Sequence, residues 1–323
     1  MTEPTIEVVP VNGVELQVTH AGEGPLVLLL HGFPELSHSW RHQIAALADA
    51  GYHAVAPNQR GYDGSSQLDD IGAYDIFELV GDAVAVTTHF GDDSPVVVGH
   101  DWGSMVAWQC ALFRPDLFRG VMAMSVPYLP RGPVSILAMV RAAAAGGFHY
   151  IDHFQDPGVA EVELDADPAA SLRFMLWGAS GDRPADMVPA DSSTQTRLIE
   201  GGPAPQGLPP WLPDADFQTY VDAFARSGFR GGINWYRNFE HNHRHTAPWH
   251  GARVAIPSAF VGGLSDFVVN GGNPGSPGPG IALMESMCDD HRATTLLDGI
   301  GHWNQQEAPE ATNEALLGFL RGL

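Results

Sequence analysis

The sequence predicts an α/β fold: a mostly parallel central sheet flanked by helices, interrupted by an inserted helical segment. Three observations lead there. Six short apolar runs, PLVLLLHG (25–32), YHAVAPN (52–58), PVVVGHD (95–101), GVMAMSV (120–126), PSAFVGG (257–263) and ATTLLDG (293–299), alternate with helix-length segments. Continuous apolar runs of this length are strands buried on both faces, as in a parallel sheet covered by helices. The rhythm then breaks between about residues 130 and 250, where no strand-like run occurs. Finally, VVVGHDWGSMVAW (96–108) ends an apolar run in Gly99-His100-Asp101-Trp102-Gly103 before a helix-like pattern. This is the frame of a sharp strand–elbow–helix turn, G-x-(nucleophile)-x-G.

The elements follow in order. Residues 5–20 read as a hairpin, with TIEVVPV and VELQVTH around the turn pair Asn12-Gly13. SWRHQIAALADAGY reads as a helix ended by Gly51. The interrupted region is rich in Ala, Pro, Gly and aromatics, and GASGDRPADMVPADSSTQ and GGPAPQGLPP have the composition of long loops. The economical division is a core of residues 1–129 and 250–323 with a helical lid at 130–249. VVNGGNPGSPGPG (268–280) carries no helix signal and reads as a flexible excursion, one that would leave the neighbouring Asp266 mobile. His241, His243 and His245 alternate like strand or coil residues and lack the H-E-x-x-H spacing of a zinc helix.

Composition narrows the partners. The 323 residues suffice for one large domain or a domain with a substantial insertion, and 44% hydrophobic with 17% charged residues describes a soluble globular protein. A net charge of −22 disfavours nucleic acid and anionic ligands, which require clustered Lys and Arg. The N-terminal stretch has no secretory pattern, and no window has the uninterrupted apolar length of a membrane span. Cys110 and Cys288 are too few for a disulfide framework, so a cytoplasmic location is expected. A homo-oligomer is left open.

Ligand and catalytic groups of open α/β sheets gather at the C-terminal ends of the strands. There the sequence offers His31-Gly32-Phe33-Pro34-Glu35, the Asp101 elbow, Leu264-Ser265-Asp266, and Gly301-His302-Trp303. Nucleophile, acid, histidine is the chain order of α/β-hydrolase triads. No serine or cysteine occupies the elbow; Asp101 does. A carboxylate is ionised at neutral pH and needs no base for attack, but it is a weak nucleophile. It suits an sp³ carbon with a strained or good leaving group, an epoxide or a halide, and yields an alkyl ester on the enzyme. His302, supported by Asp266, would then activate water against that ester, with the backbone N–H groups of Phe33 and Trp102 as oxyanion donors. The end of the preceding run, Met124-Ser125-Val126, offers no carboxylate to compete with Asp266. Pro34 is a candidate for a cis bond.

HGFPE, GHDWG, HYIDHFQDPGVAEVEL (149–164), FQTYVDAFARSGFRGGINWYRN (217–238), SDFV and GHW together resemble the soluble epoxide hydrolase family of the α/β-hydrolase fold, over nearly the whole chain. The resemblance implies hydrolysis of a small apolar epoxide with water to a vicinal diol, without cofactor or metal. It also implies two tyrosines that hold and protonate the epoxide oxygen, matched to Tyr150 and Tyr220. From its residues alone, the helix bearing Phe217, Tyr220, Val221 and Phe224 on one face reads as a packing stripe. Two positions depart from the family: Asn58 stands where it usually has Asp, and Asp63 where it usually has Gly. The alternatives are a haloalkane dehalogenase, for which Trp102 offers an indole donor and Phe33 none, and a non-catalytic ligand-binding relative. Phe154, Trp177 and the loops between about 178 and 213 are expected to shape an apolar pocket.

Overall fold

Asn12 and Gly13 both adopt positive φ, 44° and 77°, the two-residue turn that matches the twist of paired strands. They join β1 (Thr5–Val11) to β2 (Val14–Ala21) with Val11 opposite Val14. The computed structural model describes residues 3–91, 93–183, 196–199 and 207–323. Six further strands follow: β3 (Leu26–Leu30), β4 (His53–Pro57), β5 (Val96–His100), β6 (Gly120–Met124), β7 (Ser258–Gly263) and β8 (His291–Leu297). Each coincides with one of the six apolar runs. They form one eight-stranded sheet in the order β1-β2-β4-β3-β5-β6-β7-β8. Only the β1–β2 and β2–β4 pairs are antiparallel. The order reverses between β3 and β5, and at such a switch point the loops diverge to leave a crevice.

Helices cover both faces of the sheet. α1 (Arg41–Asp49) ends before Gly51, which takes positive φ. α2 (Ile76–His89) is capped by the Asp75 carboxylate, which accepts the N–H groups of Phe77 and Glu78. α3 (Trp102–Phe113) follows the elbow directly. Residues Leu26, Leu28 and Leu30 of β3 face one apolar core and Val27 and Leu29 the other, the pleat of a strand buried on both sides.

Between β6 and β7 the described residues contain helices and no named strand: α4 (Ile136–Ala144), α5 (Tyr150–His153), α6 (Val159–Leu164), α7 (Pro168–Gly178), α8 (Asp214–Ser227), α9 (Arg230–Arg237) and α10 (Phe239–His245). Parts of the pocket-shaping loops expected at 178–213 lie outside the described residues. The histidine segment is helical, correcting the strand-or-coil expectation. On α10, His241 and His245 stack at 4.1 Å, as i, i+4 neighbours do, and His241 pairs with Asp75 at 3.1 Å.

The excursion after β7 is also more ordered than its composition suggests. It opens with α11 (Phe267–Asn270) and runs into α12 (Pro279–Ser286). Asp266 caps α11 and is 1% exposed, so it is fixed rather than mobile. Proline at the first turn of α12 is compatible with a helix start. After β8 come α13 (Asn304–Glu307) and α14 (Pro309–Arg321). No helix among the described residues is long and apolar enough to cross a membrane.

Candidate active site

The elbow is built by two glycines and one strained residue. A Cβ at Gly99 would lie 2.0 Å from the Gly103 carbonyl oxygen, and one at Gly103 would lie 1.9 Å from that of Leu30. Only bare backbone lets α3 turn back this closely on β5 and β3. Asp101, between them, holds φ 53° and ψ −119°, an unfavourable conformation for a residue with a side chain. It occupies the N-cap position of α3 but makes no capping hydrogen bond with its side chain. Its carboxylate therefore remains available, with 17% of the side chain exposed, at a helix terminus that favours negative charge.

The neighbouring strand ends close around that carboxylate. The Phe33 N–H, after β3, donates to Asp101 Oδ1 at 2.8 Å, and the Phe33–Pro34 bond is cis. The Trp102 N–H is one of the donors of the first turn of α3 that lack an intrahelical acceptor. His302, after β8, places Nε2 3.4 Å from Asp101 Oδ2 and Nδ1 2.9 Å from Asp266 Oδ2. Asp266 Oδ1 is occupied by the Val268 N–H at 2.9 Å. The structure thus brings Asp101, Asp266, His302, Phe33 and Trp102 together as the chain order predicts.

Electrostatics follow from this packing. Burial opposes a charged His302, yet the Asp266 carboxylate and the hydrogen bonds to Asp101 and Asp266 hold it well above the ordinary histidine range. Burial likewise opposes ionisation of Asp101, but His302, the charge of His100 and the Phe33 N–H hold its carboxyl below the usual range. Both influences favour a carboxylate on Asp101 facing a charged His302.

Beneath it lie groups that stand in the strand-end motifs but to which the sequence pattern assigned no role. Glu35 and His100, both 0% exposed, meet at 2.6 Å, and His100 Nε2 lies 2.7 Å from the His302 carbonyl oxygen, so that nitrogen carries a hydrogen. Glu35 also accepts from the Gly32 N–H and from the side-chain amides of Gln305 and Gln306. Burial works against its ionisation, while the charge of His100 and their hydrogen bond hold its carboxyl low. His31 is lowered to about 4 by burial; Gln59 N–H donates to its Nε2, so Nδ1 carries the hydrogen directed at the Gly32 carbonyl.

The two tyrosines expected over the site part company. Tyr150 opens α5, and burial of its hydroxyl, then the charges of Asp101 and Asp266, push its pKa up. Tyr220 is fully buried under α8, but its hydroxyl donates to Gln306 Oε1 at 3.1 Å and its ring packs on His38 at 5.8 Å. Burial first and Glu35 next raise its pKa. Tyr236, on α9, takes the place expected for Tyr220. Its ring lies 5.9 Å from that of Tyr150, 5.7 Å from Phe33 and 5.1 Å from Trp102. Burial, Asp101 and Tyr150, in that order, raise its pKa well above the phenol value, against an opposing hydrogen bond from Trp102.

A local signal for Tyr236 lies in Gly231-Gly232. A Cβ at Gly231 would fall 1.9 Å from the Gly61 carbonyl oxygen, and one at Gly232 would fall 2.6 Å from the Phe33 ring. The start of α9 thus rests directly on the core, and its next turn delivers Tyr236 to the elbow. Tyr220 instead follows the stripe of α8, where Phe217, Tyr220, Ala223 and Phe224 are buried together. The departures at Asn58 and Asp63 serve the same seam. Asn58 Nδ2 donates to the Asp63 carbonyl at 2.8 Å, and the Asp63 carboxylate pairs with Arg226 of α8 at 2.7 Å. Among the described residues no three His, Cys, Asp or Glu side chains gather as metal ligands.

Comparison with known proteins identifies the family. Residues 25–146 match the family described as alpha/beta hydrolase fold. The chain is 44% identical to epoxide hydrolase A of Mycobacterium tuberculosis, over 100% of this chain and 99% of that protein. The crystal structure of epoxide hydrolase A from Mycobacterium thermoresistibile superposes with a TM-score of 0.91 at 42% identity, covering 99% of each chain. An epoxide hydrolase from an endophytic Streptomyces superposes with a TM-score of 0.92 at 36% identity, over 99% of this chain and 96% of that one. With full-length identity of this order, a matching sheet and an aspartate elbow, the chain belongs to the epoxide hydrolase family of the α/β-hydrolase fold.

Proposed function

We propose that this protein hydrolyses a small apolar epoxide to a vicinal diol through an alkyl ester on Asp101, with residues 130–249 serving as a lid. One observation carries the reading: Asp101 has one oxygen held by the Phe33 N–H and the other 3.4 Å from His302 Nε2, with the phenols of Tyr150 and Tyr236 near enough for its charge to raise their pKa. Asp101 Oδ2 attacks a ring carbon and the ring C–O bond breaks. The alkoxide oxygen takes a proton from the tyrosine pair, the role transferred here from Tyr220 to Tyr236. Phenols whose pKa is raised remain protonated at neutral pH, as a proton donor requires.

Ester formation removes the charge of Asp101, and with it part of what holds the proton on His302. That proton returns to the phenolate left by ring opening, and the neutral His302 Nε2 then acts as base: water attacks Asp101 Cγ, and its proton passes to the imidazole, whose cation Asp266 supports. Negative charge gathers on Oδ1, where the Phe33 and Trp102 N–H groups stabilise it. Collapse breaks the Cγ–Oδ2 bond, the remaining proton of the added water passes to Oδ2 of the departing diol, and the carboxylate is restored with the oxygen of water. A dehalogenase is disfavoured because Phe33 has no side-chain N–H, which leaves the Trp102 indole alone to hold a halide.

The test is a single turnover of styrene oxide by excess enzyme in ¹⁸O-labelled water. Unlabelled diol, with label retained on Asp101, is the expected result. Labelled diol means that water attacks the ring directly and overturns the ester.

A further inference from the structure

His302 can serve both Asp266 and the ester only if its backbone is held, since the imidazole follows its Cα. It stands between β8 and α13 with no ladder or helix of its own. Its N–H donates to the Ala179 carbonyl at 2.8 Å. Its carbonyl accepts two bonds, from His100 Nε2 at 2.7 Å and from Ser125 Oγ at 2.6 Å.

Ser125 is unusual in three respects. It is 0% exposed at the end of β6, on the strand between the elbow and Asp266. Its φ is 65°, and the Val126 N–H closes on the Met124 carbonyl at 2.8 Å around it, the rare γ-turn with positive φ at its centre. Its hydroxyl accepts from Asn304 Nδ2 at 2.9 Å, which leaves its single hydrogen for the His302 carbonyl. A strained backbone and a hydroxyl with one destination mark a residue kept for placement rather than for packing.

We propose that Ser125 is a positioning residue of the second half-reaction. Its hydroxyl and His100 clamp the His302 carbonyl, so that Nε2 aims at the water attacking Asp101 while Nδ1 stays on Asp266. The proposal rests on the ester mechanism above. It assigns Ser125 no part in ring opening, because Asp101 attacks without a base.

Ser125→Gly keeps the positive φ at no steric cost and deletes the hydroxyl; Ser125→Ala deletes the hydroxyl and keeps the strain. In both, kcat falls roughly 10- to 100-fold through misplacement of the base. KM falls in parallel, kcat/KM stays at the wild-type value because it reports ring opening, and mass spectrometry finds protein carrying one added epoxide. A retained melting transition and retained ring opening identify folded enzyme. Wild-type kcat in Ser125→Gly overturns the proposal, as does an equal loss in kcat and kcat/KM without accumulated ester. His302→Gln in the same assay separates the two readings. If it traps no ester, the ester mechanism fails and the role of Ser125 fails with it. If it does and the Ser125 variants behave as wild type, only the role of Ser125 fails.

Discussion

Asp101 and Asp266 stand a few residues beyond buried parallel strands and His302 beyond the partly exposed edge strand β8, whereas Tyr150 and Tyr236 come from two helices far apart in the insertion. The core groups are fixed by hydrogen bonds: Phe33 N–H and His302 to Asp101, Val268 N–H to Asp266, Ser125 and His100 to the His302 carbonyl. The tyrosines are fixed by packing, edge to face with Phe154 at 5.6 and 5.1 Å, and through the bare backbone of Gly231 against Gly61. Sheet ends thus impose position locally, while the insertion acquires position only when its helices dock. The division also separates chemistry. In the proposed mechanism the core carries the nucleophile and the water-activating base, and the insertion carries the acid for the leaving oxygen.

The largest effects lie in the core. Asp101→Asn removes the nucleophile, and diol formation from styrene oxide is expected to fall by roughly 10⁴-fold or more; activity within tenfold of wild type would refute the assignment. His302→Gln stops the cycle after ring opening. A stoichiometric burst without steady turnover, with ester retained on the protein, is the expected outcome, and sustained turnover would contradict it.

The insertion provides the sharper comparison. Losing one donor to a developing oxyanion costs ~10²–10³ in rate. Tyr150→Phe and Tyr236→Phe are expected in that range, measured as single-turnover ring opening, while Tyr220→Phe loses less than about tenfold. A Tyr220→Phe defect as large as that of Tyr236→Phe would return the role to α8.

Titration of His302 tests the coupling between the halves of the cycle. Its pKa is raised partly by Asp101, so Asp101→Asn, which mimics the neutral ester, should lower it. The imidazolium then loses its proton at lower pH than in wild type. Histidine NMR across both titrations gives the comparison; an unchanged or higher value in the variant would exclude charge release as the step that frees the base. The smallest effect is at the seam. Arg226 is 63% exposed, so breaking its pair with Asp63 by Arg226→Ala should cost ~0.2–1 kcal/mol of stability, less at high salt. Denaturant unfolding measures it, and a loss of several kcal/mol would mean the pair anchors the lid far more strongly than an exposed ion pair can.

Local pattern was sufficient wherever a residue's place is fixed by its own strand end. The apolar runs gave the strands, Gly99 and Gly103 gave the elbow, and the order Asp101, Asp266, His302 singled out three side chains that the fold brings within hydrogen-bonding or ion-pair range, because a parallel sheet presents every strand end to the same edge. Composition misled where caps outweigh it: Asp266 starts a helix inside a Gly- and Pro-rich stretch, and His241 and His245 stack on a helix that their alternation hid.

The sequence by itself determined the sheet and the presence of a carboxylate at the elbow, since those depend on period and spacing, and the role proposed for that carboxylate starts from its ionisation at neutral pH. Which tyrosine faces Asp101 was decided by tertiary structure alone. Tyr220 and Tyr236 both sit on buried helical faces, and only the docking of α9 through Gly231 and Gly232 turns one towards the nucleophile and leaves the other on Gln306. The buried Glu35–His100 pair and the Ser125 clamp belong to the same class: partners distant in the chain, joined where strands and loops converge.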